Sequence, residues 1–207
     1  MIETRWLGRT AYEEAWQLQL STRSEILEGT EQEVVLATEH LPVITAGRRD
    51  AGLDEGLLAA NGLSVLRTER GGLATYHGPG QLVLYPIVHI RRRGLSVRDW
   101  VFGIEQQVID WIGGGGVSAT RRCGQPGVWI GEEKVCAIGL HISRGISIHG
   151  LALNIHTDLM PYSLFTPCGI VDGGVTRLCD HGLSPSVREA ALDLGGRLAR
   201  WISKEKD

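Results

Sequence analysis

The sequence has no long hydrophobic run: nothing in its 207 residues approaches the ~18 to 20 consecutive apolar positions that a membrane-spanning helix requires. Its opening Met-Ile-Glu-Thr-Arg-Trp carries mixed charge where a signal sequence would carry an apolar core. A soluble, cytoplasmic protein without a membrane partner is expected. Cysteine is scarce. Cys123, Cys136, Cys168 and Cys179 are too few to staple a chain of this length and share no Cys-x-x-Cys spacing, so reduced thiols are the expectation. Positive charge is not in excess either; a formal net charge of -3 argues against nucleic acid as a partner and leaves only a local patch to meet a polyanion. Neither Gly-x-x-x-x-Gly-Lys nor a helix-opening Gly-x-Gly-x-x-Gly occurs, so nucleotide binding is not signalled. His77, His141, His149, His156 and the Cys179-x-His181 pair match no structural zinc spacing, and no metal or other cofactor is expected.

What is present suits one compact domain spanning residues 1–207, with 43% hydrophobic residues against 22% charged. Three capping boxes, Thr10-Ala-Tyr-Glu13, Ser96-Val-Arg-Asp99 and Ser186-Val-Arg-Glu189, each place a hydroxyl and an acid to satisfy reciprocal orphan amides at a helix start. The second helix, with Val97, Val101, Ile104, Val108 and Ile112 at helical spacing, should end at Gly113 to Gly116. Between the helices lie short β-rich runs at 34–38, 43–46, 64–68, 82–87, 128–130, 135–140 and 146–155. The runs at 128–130 and 134–140 form a hairpin across Gly131-Glu-Glu, which puts Lys134 at the start of a strand. The fold class is α+β: a mixed or antiparallel sheet flanked by helices.

Three features carry chemistry. Arg70-Gly-Gly-Leu-Ala-Thr-Tyr-His-Gly-Pro-Gly-Gln81 packs four glycines, a proline, a histidine and an arginine between strand patterns. Such glycines serve either a tight connection or close backbone approach to a ligand. In Thr166-Pro-Cys168-Gly the proline fixes φ before the cysteine and glycine frees the backbone after it, which places a candidate nucleophilic thiol on a turn. Cys123, beside Arg121 and Arg122, is its rival, because adjacent positive charge favours the thiolate. Cys136 reads as a small buried hydrophobe. Lys134 heads a strand apolar on both faces; it is either a hairpin lysine in water or a desolvated amine suited to act as a base or to pair with a thiolate. Arg91-Arg-Arg93 is either a solvated connector or a dock for an acidic protein.

Together with Pro126-Gly-Val-Trp129, Gly131-x-x-Lys134-x-Cys-x-Ile-Gly139, His149-Gly-Leu-Ala-Leu-Asn154 and Pro167-Cys168-Gly169, the glycine-rich motif closely resembles the octanoyl-(acyl carrier protein):protein octanoyltransferase family. Order and spacing fit from about residue 7 to 187. The resemblance implies a fold like the catalytic domain of biotin and lipoate protein ligases. It also implies transfer of an octanoyl group from octanoyl-acyl carrier protein to a lysine of lipoyl domains, in 2-oxoacid dehydrogenase complexes and the glycine cleavage H protein. Cys168 would carry the acyl group and Lys134 would activate it. Arg70, Gly71, Gly72, Leu73, Ala74, Thr75, Tyr76, His77, Ala137, Ile138, Gly139, Gly150, Leu151 and Ala152 would line the acyl site. The glycine-rich loop or the strand at Gly139 would present backbone N–H groups to the oxyanion. An ATP-dependent lipoate or biotin ligase, a non-catalytic module that binds acyl or lipoylated proteins, and a thioesterase remain as alternatives.

Overall fold

The computed structural model describes residues 2–49, 52–165 and 173–204. In chain order the elements are β1 (Glu3–Thr10), α1 (Tyr12–Glu28), β2 (Val34–His40), β3 (Val43–Ala46), α2 (Glu55–Ala60), β4 (Val65–Arg67), β5 (Ala74–His77), β6 (Gln81–Ile87), α3 (Val97–Gly114), β7 (Thr120–Arg122), β8 (Gln125–Ile130), β9 (Glu133–Ser143), β10 (Ile146–Asn154), β11 (Gly174–Val175) and α4 (Val187–Lys204). The eight-stranded main sheet runs β1-β2-β6-β10-β9-β8-β7, with β11 attached to β9. It is mixed: β1 pairs with β2 and β11 with β9 in parallel, and the other neighbours are antiparallel. A small second sheet, β4-β3-β5, stands apart from it. The expected α+β class with a helix-flanked mixed sheet is the observed one.

Sequence periodicity explains the layering. In α3, Trp100, Ile104, Val108 and Ile112 recur every four residues, and in α4 Ala191, Leu194, Leu198 and Ile202 form a matching stripe. Both stripes press on Leu82, Leu84, Leu151 and Leu153 from one face of β6 and β10. The alternate residues Val83, Tyr85 and Ala152 face the opposite way, where α1 packs through Ala15 and Ile26. A side chain such as Ile104, fully excluded from water, contributes roughly 1.5–3 kcal/mol by that burial.

The capping boxes at Ser96 and Ser186 both form. Asp99 N–H donates to Ser96 Oγ at 3.1 Å and Glu189 N–H to Ser186 Oγ at 3.2 Å, with the acids accepting from the two serine N–H groups in return. The expected box at Thr10 does not. Thr10 is the last residue of β1, its hydroxyl lies 2.9 Å from the Thr38 hydroxyl, and α1 starts after an uncapped Ala11. Helix α3 ends at Gly114, within the glycine run expected to stop it. Strand β1 has no counterpart in the sequence reading, and residues 74–77 of the glycine-rich segment are a strand rather than part of a loop. No helix among the described residues is long and apolar enough to cross a membrane.

Candidate active site

Where the small sheet faces the centre of the main sheet, a cavity of about 580 Å³ opens, floored by β6, β10 and β9. Its floor is bare because its residues are small: Ala152 pairs with Ala137 and Gly150 with Gly139 across β10 and β9, so little fills the ~10 Å that separates stacked layers. The roof is the Arg70–Leu73 segment. Gly71 N–H donates to the Leu140 carbonyl at 2.8 Å, and a Cβ on Gly139 would stand 3.0 Å from the Gly71 carbonyl oxygen. That bond uses the Gly71 N–H, so this amide is not available to an oxyanion.

Around the cavity lies a buried polar network assembled from distant parts of the chain. Arg70 is buried, and its guanidinium donates to the Thr45 carbonyl (2.6 Å), the Thr45 hydroxyl (2.9 Å) and the Gly71 carbonyl (3.0 Å). His77 Nδ1 lies 2.7 Å from Gln81 Oε1; Gln81 Nε2 donates to Asn154 Oδ1 at 2.9 Å, and Asn154 Nδ2 donates to the Thr176 carbonyl at 3.0 Å. Tyr12 Oη is 3.2 Å from His149 Nδ1, and Tyr85 Oη is 2.7 Å from His40 Nε2. Burial holds the histidines and phenols uncharged. Desolvation lowers the pKa of His40 to about 4. It lowers His149 to about 4 as well, against an upward pull from Glu69, whose Oε2 is 3.7 Å from Nε2. Desolvation and the nearby His40 push His77 well below its ordinary value, and burial raises the phenols of Tyr12 and Tyr85. His149 holds a left-handed φ of 58° within β10, a strained conformation for a non-glycine residue, anchored where its N–H donates to Gln19 Oε1 at 2.7 Å.

Lys134, the second residue of β9, is buried at the cavity wall with 6% of its surface exposed; it is not a lysine in water. Nζ donates to the Pro126 carbonyl at 3.1 Å and stands 4.8 Å from the Trp129 ring centre. Its stem lies on bare backbone, since a Cβ on Gly127 would meet Lys134 Cε at 3.2 Å. On the other side of β9, Val175 of β11 pairs with Lys134, and Thr176 N–H donates to the Lys134 carbonyl at 3.0 Å.

Cys168 lies outside the described residues. Of the other thiols, Cys123 is exposed, Cys136 is buried with its pKa raised by desolvation, and Cys179 is partly buried; none of the three lines the cavity. Arg70, Gly71, Gly72, Leu73, Thr75, His77, Ala137, Ile138, Gly139, Gly150, Leu151 and Ala152 do line it. Ala74 and Tyr76, which alternate with Thr75 and His77 along β5, face away into a separate cluster with Ile44, Leu58 and Tyr162. Tyr12, Arg48, Arg49 and Tyr85 also line the cavity and were not singled out in the sequence. One signal for Lys134 was there: the sequence has three lysines, and the other two, Lys204 and Lys206, fall at its very end. Arg93 is no docking residue. Its side chain is 2% exposed and paired with Glu33 at 2.6 Å. Among the described residues no three His, Cys, Asp or Glu side chains are grouped to hold a metal ion.

The model of the lipoyl protein ligase A/B catalytic domain matches residues 11–194, and the chain belongs to that family. It is 43% identical to an octanoyltransferase of Thiobacillus denitrificans over 201 residues, covering 97% of this chain and 91% of the relative. It is 41% identical to an octanoyltransferase of Chromohalobacter salexigens, covering 98% and 91%. Within the family, then, the chain stands with the octanoyltransferases, and it is an acyltransferase. The fold is shared more widely. A bipartite lipoate protein ligase of Thermoplasma acidophilum, solved in a study with its E2 lipoyl domain, superposes with a TM-score of 0.68 at 17% identity, covering 99% of this chain and 84% of that one. A biotin protein ligase of Aquifex aeolicus in complex with biotin and ATP gives 0.59 at 15% identity, covering 100% and 72%.

Proposed function

We propose that this acyltransferase moves an octanoyl group from octanoyl-acyl carrier protein to a lysine of lipoyl domains, those of 2-oxoacid dehydrogenase complexes and the glycine cleavage H protein, by way of a thioester on Cys168. The observation that carries the reading is the meeting of the cavity with Lys134: a cavity floored by small apolar residues is lined also by a buried amine, and the chain that follows Cys168 rejoins the described fold as β11, paired with that same residue. The cavity suits an alkyl guest. Burying about seven carbons beyond the carbonyl, at ~0.8 kcal/mol each, contributes roughly 5 kcal/mol of anchoring.

In the first step the Cys168 thiolate attacks the thioester carbonyl of the donor, the tetrahedral oxyanion collapses, and the carrier thiolate leaves. In the second, the neutral amine of the target lysine attacks octanoyl-Cys168, an amide forms, and the Cys168 thiolate departs. Lys134 draws the proton from the Cys168 thiol before the first step and passes it to the departing carrier thiolate; in the second step Lys134, or the departing Cys168 thiolate, takes the proton that the attacking amine loses as the amide forms. The cavity-lining residues of the Arg70–Leu73 roof, Thr75, His77 and the 137–139 and 150–152 floor hold the chain, while Ala74 and Tyr76 support β5 from behind.

Intact-mass analysis after mixing the protein with octanoyl-acyl carrier protein tests this. The expected result is a gain of one octanoyl group, lost in Cys168→Ala and discharged onto a lipoyl domain without ATP. Turnover by Cys168→Ala, or a strict ATP requirement, overturns the proposal; the second result would mark an acid-activating ligase instead.

A further inference from the structure

Helix α3 faces the core with one acidic side chain among its apolar stripe. Glu105 is 6% exposed, an expensive place for a carboxylate unless its charge is met by donors. It is met twice: Oε2 accepts from Arg121 Nε at 3.0 Å, and Oε1 accepts from the Gly127 N–H at 2.8 Å. The second bond links it to the site. Gly127 N–H and the Pro126 carbonyl belong to one peptide unit, and that carbonyl is the acceptor for Lys134 Nζ. The unit is thus gripped on both sides, by a carboxylate at its N–H and by an amine at its oxygen. A charge-assisted bond to the N–H increases the negative charge on the carbonyl and strengthens what that oxygen accepts. The peptide also needs holding, because Gly127 sits at φ 133°, with Cys136 backbone and the Lys134 stem packed where a Cβ would be.

We infer that Glu105 is a positioning residue for Lys134, acting through the Pro126–Gly127 peptide to aim the amine into the cavity. The inference rests on the reading above, in which Lys134 activates Cys168. Glu105 touches neither substrate nor the nucleophile in this account; it fixes the acceptor that fixes the amine.

The test is the rate of iodoacetamide alkylation of Cys168, resolved by peptide mass spectrometry across pH, in wild type, Lys134→Ala, Glu105→Ala, Glu105→Gln and the two Glu105 variants combined with Lys134→Ala. Glu105→Ala is expected to slow Cys168 roughly tenfold, the worth of one hydrogen bond to a charged group. Glu105→Gln keeps an acceptor without the charge and should slow it about threefold. Both rate profiles should move toward higher pH, in the direction of Lys134→Ala, and neither substitution should slow the reaction further once Lys134 is gone. Buried Cys136 reports on the fold: if it reacts in Glu105→Ala, the Glu105→Gln pair decides. Glu105 variants at the wild-type rate, or effects that multiply with Lys134→Ala, overturn the positioning role alone. Unchanged alkylation in Lys134→Ala overturns the activating role of Lys134 and the positioning role with it.

Discussion

Mild acid should destabilise this protein through its buried histidines. His40, His77 and His149 are all held neutral by burial in the polar network around the cavity, whereas in the unfolded chain each takes up a proton near pH 6.5. Folded pKa values below unfolded ones mean that the unfolded state binds more protons between about pH 6.5 and 4. Stability is therefore complete above pH 6.5 and falls as the pH drops. With His40 at about 4, protonation favours the unfolded chain by about 2.5 kcal/mol at pH 4.5. His149, also at about 4, adds a similar amount, and His77 adds to both. Two such groups remove about 5 kcal/mol, against a typical domain stability of 5–15 kcal/mol. Urea unfolding followed by tryptophan fluorescence at half-unit steps from pH 7.5 to 4.5 measures this. The midpoint should be flat above pH 6.5 and decline steadily below it, and His40→Gln should decline by about one proton less. Asp99 and Glu189, whose pKa values are lowered by bonds to Ser96 and Ser186, lose their contribution only below this window. A midpoint that stays constant to pH 4.5, or one that declines equally in His40→Gln, refutes the argument.

Gly127→Ala should cost both stability and acyl transfer, since its methyl group would strike the Cys136 carbonyl at a φ of 133° that disfavours side chains and would press on the Lys134 stem; a lowered thermal midpoint together with a loss of at least tenfold in kcat is expected. Ala152→Leu places an isobutyl group on the cavity floor and should shift preference toward acyl chains shorter than C8 by tens-fold in relative kcat/KM, read by competition between donors. Ile104→Ala removes a fully buried side chain from the α3 stripe and should destabilise the fold by about 2–5 kcal/mol in chemical denaturation. Arg93→Ala leaves Glu33 without its buried partner; it should lower stability while leaving the salt dependence of the donor KM unchanged, and the opposite pattern would restore a docking role.

Features set by neighbouring residues were legible in the sequence. Ser96 and Ser186 cap their helices with groups three residues away, and the apolar runs of β6, β9 and β10 mark buried strands by composition alone. What failed was decided by contacts across the chain. Thr10 has the spacing of a helix cap, but the Thr38 hydroxyl competes for its side chain, so the residue stays in β1. Strand β1 itself, a half-exposed edge with mixed charges, has no alternation to betray it. For Lys134 the sequence left burial and exposure open, because nothing local discloses that Gly127 and Pro126 lie under its stem. The histidine–tyrosine network is less legible still: Tyr12 and His149 meet over a separation of 137 residues, which no motif spacing encodes.

The bond from Gly71 to the Leu140 carbonyl stitches the upper edge of the cavity proposed for the acyl chain to its lower one. A slot sewn shut along one seam cannot widen for a bulky guest, although it can accept a longer or shorter slender one. Selection should therefore act on girth before length: straight saturated acyl groups a carbon or two from the preferred size remain usable, while branched or aryl-tipped ones of equal carbon number are turned away at the entrance.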